Sequence, residues 1–137
     1  MADVLPFTPL QTAHMLLEAG FTGWPVATMG AICRAESGLN AYAINVVEAE
    51  RRADGSLNPA YRSIDVGIGQ INTYWFPTHR IQDLLDPLYN LSLCRRIYLE
   101  AGQWSAGYSR WNVYKTGAHL PYAQDAINAA RAAGVAI

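Results

Sequence analysis

Proline and glycine punctuate this chain as starts and stops for helices, and that limits the fold more than any other feature. Thr8-Pro9-Leu10-Gln11 is a capping box with proline at the first helical position. It predicts a helix to Ala19, stopped by Gly20. Trp24-Pro25 predicts a second helix closed by Gly38. Asp86-Pro87 is an N-cap followed by proline, so a third should run to about Ala101, before Gly102. Trp111–Thr116 fits a short helix ahead of Gly117. Pro121 opens a last one that Gly134 ends.

Residues 39–67 break this rhythm. Val46 and Val47 are β-branched, Asp54-Gly55 is a hairpin turn signal, and Asn58-Pro59 is a further breaker. A small, irregular hairpin or loop excursion is expected there. The fold class is therefore α+β, predominantly α. The 137 residues show no repeat, low-complexity tract or linker and suit one domain spanning 1–137.

On the second helix Met29, Ile32, Cys33 and Glu36 share one face by three-and-four spacing. The first three read as core. Glu36, at the end of the apolar run Trp24–Cys33, is the exception. A carboxyl group leaving an apolar helix can hold its proton near neutral pH, because desolvation disfavours the charged form. Its plainer reading is a solvated residue near a helix C-terminus. Downstream, Asp65 lies beside Gly67 and Gly69 on a polar turn, where it would stay ionised; alone it reads as a turn residue. Two carboxyl groups tuned apart are what glycoside cleavage requires: one protonates the leaving oxygen and the other stabilises the cationic sugar ring. The two glycines would let a sugar approach the backbone. Gln70 and Asn72 offer amides to sugar hydroxyls. Trp75 and Phe76 offer flat faces, with Trp111 and Tyr114 closing the other side. Taken singly, Trp75 and Trp111 fit a core as well as a platform.

Other chemistries find little support. The net charge is −1 and charged residues make up 15% of the chain, so no phosphate backbone is implied as partner. Arg51-Arg52 and Arg95-Arg96 read as solvated surface. His14, His79 and His119 are isolated, so no metal site or other cofactor is expected. Gly67-x-Gly69 lacks the third glycine of a dinucleotide fingerprint, since Asn72 stands there, and Gly-x-Ser-x-Gly is absent. Cys33 and Cys94 have apolar neighbours and are read as two buried reduced thiols, a single bridge between helices being the alternative. Met1–Pro6 has neither a basic nor an apolar signal region, and the Trp24–Cys33 run is too short to span a bilayer.

The order of these residues adds a resemblance. Glu36-Ser37-Gly38-Leu39-Asn40-Ala41-Tyr42-Ala43-Ile44-Asn45 resembles the catalytic glutamate segment of the lysozyme superfamily, in chicken-type lysozymes and in soluble lytic transglycosylases. Ser63-Ile64-Asp65-Val66-Gly67-Ile68-Gly69-Gln70-Ile71-Asn72-Thr73-Tyr74-Trp75 is similar to the second lysozyme signature. Leu85-Asp86-Pro87-Leu88-Tyr89-Asn90 resembles the transglycosylase Asp-Pro-x-x-Asn segment, and Tyr114-Lys115-Thr116-Gly117 that family's Tyr-Asn-Ala-Gly. Trp111-Asn112-Val113-Tyr114 is similar to phage wall-cleaving domains. The four motifs cover roughly residues 24–122 in the family's order.

The resemblance implies a lysozyme-like fold, with helices around a central catalytic helix. It implies a muramidase that cuts the β-1,4 bond between N-acetylmuramic acid and N-acetylglucosamine of peptidoglycan. Glu36 would be general acid and base, and Asp65 stabiliser or nucleophile. Ser37, Gln70, Asn72, Trp75, Trp111 and Tyr114 would bind the glycan strand. The alternatives are a lytic transglycosylase working through Glu36 alone, and a non-catalytic glycan-binding or structural module. The pattern also departs from the family's. Gly69 replaces a methionine, Lys115 stands where the transglycosylases have asparagine, the Glu36–Asp65 gap is longer than in the animal enzymes, and their disulfides are missing. A monomer without stable membrane insertion is expected. Wall-directed motifs without a signal peptide fit a holin-released phage endolysin, a virion-associated part or a domain of a longer chain.

Overall fold

The computed structural model describes residues 6–47, 53–54 and 63–137. The turn signals at Asp54-Gly55 and Asn58-Pro59, the Arg51-Arg52 doublet and the Met1–Leu5 segment lie wholly or partly outside them.

The helical punctuation works as read. In α1 (Pro9–Glu18) the Thr8 hydroxyl accepts from Gln11 N at 3.1 Å, while Thr8 N donates to Gln11 Oε1 at 2.9 Å. Ala19 is its C-cap and Gly20 follows at φ +105°. α2 (Trp24–Ser37) begins with proline in its first turn and ends on Gly38, whose left-handed φ of 65° a side chain would strain. α4 (Pro87–Glu100) starts where the Asp86 carboxylate accepts from the Leu88 and Tyr89 amides. α6 spans Asn112–Thr116 with Gly117 as left-handed cap. A 3-10 turn at Leu120–Tyr122 carries Pro121 and leads into α7 (Ala123–Ala132).

Two single-turn helices, α3 (Ile81–Leu84) and α5 (Trp104–Gly107), had no punctuation to announce them. The entry to α5 is strained: Gln103 and Trp104 take φ +63° and +49°, and the Trp104 amide is held by the Tyr98 hydroxyl at 2.8 Å.

The expected hairpin is a three-stranded antiparallel sheet. β1 (Ile44–Val47) pairs with β2 (Ser63–Val66), and β2 pairs with β3 (Ile71–Asn72). Asp65 lies on the central strand, opposite Asn45 on one side and Asn72 on the other. The third strand is only two residues long and lacks a hydrophobic period to reveal it.

α2 packs chiefly on α7 and α1, with smaller contacts to α6 and the 3-10 turn, while α4 packs on α1, α3 and α5. Met29, Ile32 and Cys33 on its inner face are fully buried. Each of the larger two contributes about 1.5–3 kcal/mol by leaving water. Arg34, on the rim of the same helix, bonds Asp125 of α7 at 2.9 Å and lies over the Tyr122 ring. Of the second arginine doublet Arg96 is exposed and lies 3.8 Å from Glu100; Arg95 is half-buried and its side chain fills the space over Gly20. The architecture is thus α+β and mostly helical with one small sheet. Among the described residues no helix is long and apolar enough to cross a membrane.

Candidate active site

The turn between β2 and β3 joins the sheet to the helices. Gly67 and Gly69 are buried within it. A methyl group on Gly67 would run into Leu84 O and the Asn90 amide, and one on Gly69 into Cys94 Sγ and Asn90 Oδ1. The missing side chains therefore make room for α3 and α4, and the expected close approach of a sugar at these two positions is corrected. Asn90, fully buried on α4, donates to Val66 O and Leu84 O at 2.9 Å each and accepts from Gly69 N at 3.0 Å.

Gln70 closes the turn at φ +53°, a left-handed conformation that costs a non-glycine residue about 1–3 kcal/mol. Its side chain offsets that strain by holding the turn. Nε2 donates to Gly67 O and Ala43 O at 2.9 and 3.0 Å, and Oε1 accepts from Asn45 Nδ2 at 2.7 Å. Ser37 Oγ, at the end of α2, lies 2.7 Å from Ile68 O and 2.9 Å from Cys33 O. Both side chains were expected to meet substrate: the Ser37 hydroxyl instead links the end of α2 to the turn, and the Gln70 amide braces the turn while the residue also lines the Trp75–Trp111 groove.

These ties bring the two carboxyl groups together. Glu36 leaves the last turn of α2 half-buried and within electrostatic reach of Asp65. Burial, and next the Asp65 charge, push its carboxyl up to about 7; a hydrogen bond from the Val113 backbone N–H works against them. Asp65 is also raised by burial, but the Asn72 amide at 2.9 Å favours its anion. Asp65 ionises first, while Glu36 is still neutral, and Glu36 then loses its proton against an existing charge.

A groove of about 240 Å³ is lined by Gln70, Asn72, Trp75, Phe76, Trp111 and Lys115; neither carboxyl is among its lining residues, and Asn72, which bonds Asp65, connects the two. Trp75 is 66% exposed and stands edge-on to Tyr74. Trp111 is buried, and its indole N–H donates to Gly69 O at 2.9 Å. Asp65 is tied to the groove through Asn72. Tyr114 faces elsewhere. It is stacked between Tyr108 and His119 and lines a second, apolar cleft with Trp24 and Trp104.

Sequence reasoning did not single out Asn90 or Val113 as parts of the site. Asn90 stood in a recognised motif, but nothing linked it to the turn. Val113 contributes only a peptide N–H, which no residue type encodes. Cys33 and Cys94 are free, fully buried thiols whose pKa values burial raises, so neither is a ready nucleophile. Among the described residues no group of His, Cys, Asp and Glu could hold a metal ion.

The arrangement can keep one carboxyl protonated and one ionised at neutral pH beside an aromatic groove, and so can deliver a proton next to a fixed anion. Comparison with family models, with curated proteins and with solved structures found no match to this chain.

Proposed function

We propose that this chain is a muramidase of the lysozyme superfamily, with a lysozyme-like fold, acting on bacterial peptidoglycan. The observation that carries the reading is Glu36: half-buried, holding its proton to about pH 7, and paired with an Asp65 that ionises before it. The four motifs in family order support the same reading.

In this reading the glycan lies in the Trp75–Trp111 groove. Glu36 gives its proton to the glycosidic oxygen, the C1–O bond breaks, and the leaving sugar departs as an alcohol. Asp65 stabilises the oxocarbenium ion or bonds to it at C1. The Glu36 carboxylate then takes a proton from water as its oxygen attacks C1, which restores both groups. Asn72 keeps Asp65 oriented and ionised throughout.

The test is product analysis on purified peptidoglycan with wild type and Glu36→Gln. Wild type should release muropeptides with reducing ends, and the variant should release almost none. Anhydro ends would hand the reading to a lytic transglycosylase. Lysis by Glu36→Gln at the wild-type rate would remove both, and affinity for chito-oligosaccharides without cleavage would leave a binding module.

A further inference from the structure

We propose that Arg110 and Lys115 make the Trp75–Trp111 groove selective for glycans that carry carboxylates. The two cations take the acidic branch of a muramyl sugar, either its O3 lactyl group or the peptide built on that group, and so favour such strands over neutral chitin-like ones. The inference deepens the reading of this groove as the glycan site and rests on it.

Hydrogen-bonding capacity in the groove is unevenly spent. Gln70 gives both amide hydrogens to Gly67 O and Ala43 O, and its oxygen accepts from Asn45. Asn72 gives its two to Ser63 Oγ and Asp65, and its oxygen takes the Tyr74 and Trp75 amides. The Trp111 indole N–H is held by Gly69 O. Among the described residues, the lining side chains left with free polar groups are Trp75, Ser109, Arg110 and Lys115. All four can donate, and only the serine hydroxyl can accept. Two of them are cations, and among the described residues no acidic side chain lines the groove. A sugar hydroxyl uses both kinds of partner. A carboxylate uses donors alone and bonds best to charged ones.

The cations are also well placed. Trp111 is buried, pinned by Gly69 O, and is the N-cap of α6. Arg110 directly precedes it. Lys115 follows one helical turn on, its N–H 3.4 Å from Trp111 O. Both thus extend from a base fixed to the β2–β3 turn, and both line the groove that Asn72 and Trp75 also line. They are exposed, and neither forms an ion pair among the described residues. The whole chain carries a net charge of −1, so a doubly cationic groove does not reflect a generally basic surface. Asp65 is joined to the groove through Asn72 and is not part of its lining.

Calorimetric titration tests this with three tetrasaccharides: neutral chitotetraose, a peptide-free muramyl glycan with free lactyl carboxylates, and the same glycan with its stem peptides. Glu36→Gln protein serves as host so that the probes stay intact. At about 50 mM salt at least one acidic glycan should bind about five- to tenfold tighter than the neutral one, a modest gain because exposed charge pairs are screened by water. The preference should shrink toward about twofold at about 500 mM salt. Comparing the two acidic glycans identifies which carboxylate is read. In Arg110→Gln/Lys115→Gln, affinity for the acidic glycans should fall to that for the neutral one. In Arg131→Gln, which removes an exposed charge on α7, the preference should persist. Equal affinity for neutral and acidic glycans at low salt would overturn the proposal, and so would a preference that outlasts the double substitution or ignores salt. The salt series needs no change in the groove, so no folding defect can mask it. Binding is read without cleavage. A carboxylate preference in a protein that cuts no wall removes only the muramidase reading, whereas wall cleavage without the preference removes only this inference.

Discussion

Asp65 and Asn72 face each other across the β2–β3 pair, and the Asn72 amide donates to the Asp65 carboxylate at 2.9 Å. The same amide reaches Ser63 Oγ at 3.0 Å, while its oxygen accepts from the Tyr74 and Trp75 backbone N–H groups. One side chain thus orients the anion of the site and anchors the start of the segment that presents the exposed indole.

Replacing Glu36 by glutamine should reduce glycan cleavage by about 10²–10⁴-fold, the usual worth of a general acid. The same change should make the protein more stable at alkaline pH. A carboxyl whose folded pKa is raised from 4.5 to about 7 stabilises the fold in its protonated form, so wild-type stability falls as pH rises between those values. Glutamine does not ionise. Allowing for solvent screening of a partly exposed group, the advantage should reach about 1–2 kcal/mol at pH 8 and vanish near pH 4. Urea titrations at the two pH values check it.

Cleavage should be greatest where Asp65 is ionised and Glu36 is not, and should fall as pH rises through about 7. Asp65→Asn removes the neighbouring charge, so the alkaline limb, or the Glu36 titration midpoint read by NMR, should move to lower pH. A limb that stays in place would mean that the two carboxyls do not sense each other.

Trp75→Ala should separate binding from stability. The indole is two-thirds exposed, so its loss should change unfolding free energy by less than about 0.5 kcal/mol. Affinity for chito-oligosaccharides should fall by about tenfold as a flat apolar face is lost. Calorimetric titration and urea melts make the comparison.

Asn90→Leu should do the reverse. It keeps the volume but orphans Val66 O, Leu84 O and Gly69 N inside the core, with an expected loss of about 3 kcal/mol or more. Gly69→Ala should cost about 1–3 kcal/mol, since Cys94 and Asn90 already occupy the space. Urea unfolding midpoints measure both.

The helices were legible because their ends are written in local chemistry. Thr8 with Gln11, Asp86 before Pro87 and the left-handed Gly38 each act within a few residues of their position. The buried stripe Met29, Ile32 and Cys33 followed from spacing alone. The carboxyl pair was legible as residue types in an apolar and a polar setting. What sequence could not supply was the direction of side chains. Gln70 and Ser37 have groups suited to sugars, but both spend them on backbone carbonyls brought near only by tertiary packing. Tyr114 likewise turns toward Tyr108 and His119, a stack that joins residues from α6 and its flanking turns. β3 was missed because two residues carry no period, and the glycines were given to a ligand because Cys94 and Asn90 lie more than twenty positions away.

Asn90 grips the turn from inside the core, so the gap between the two carboxyls is gauged by a helix that contributes neither of them. Substitutions along α4 have the leverage to reset that gap and, if the proposed cleavage holds, the stereochemical course it would take.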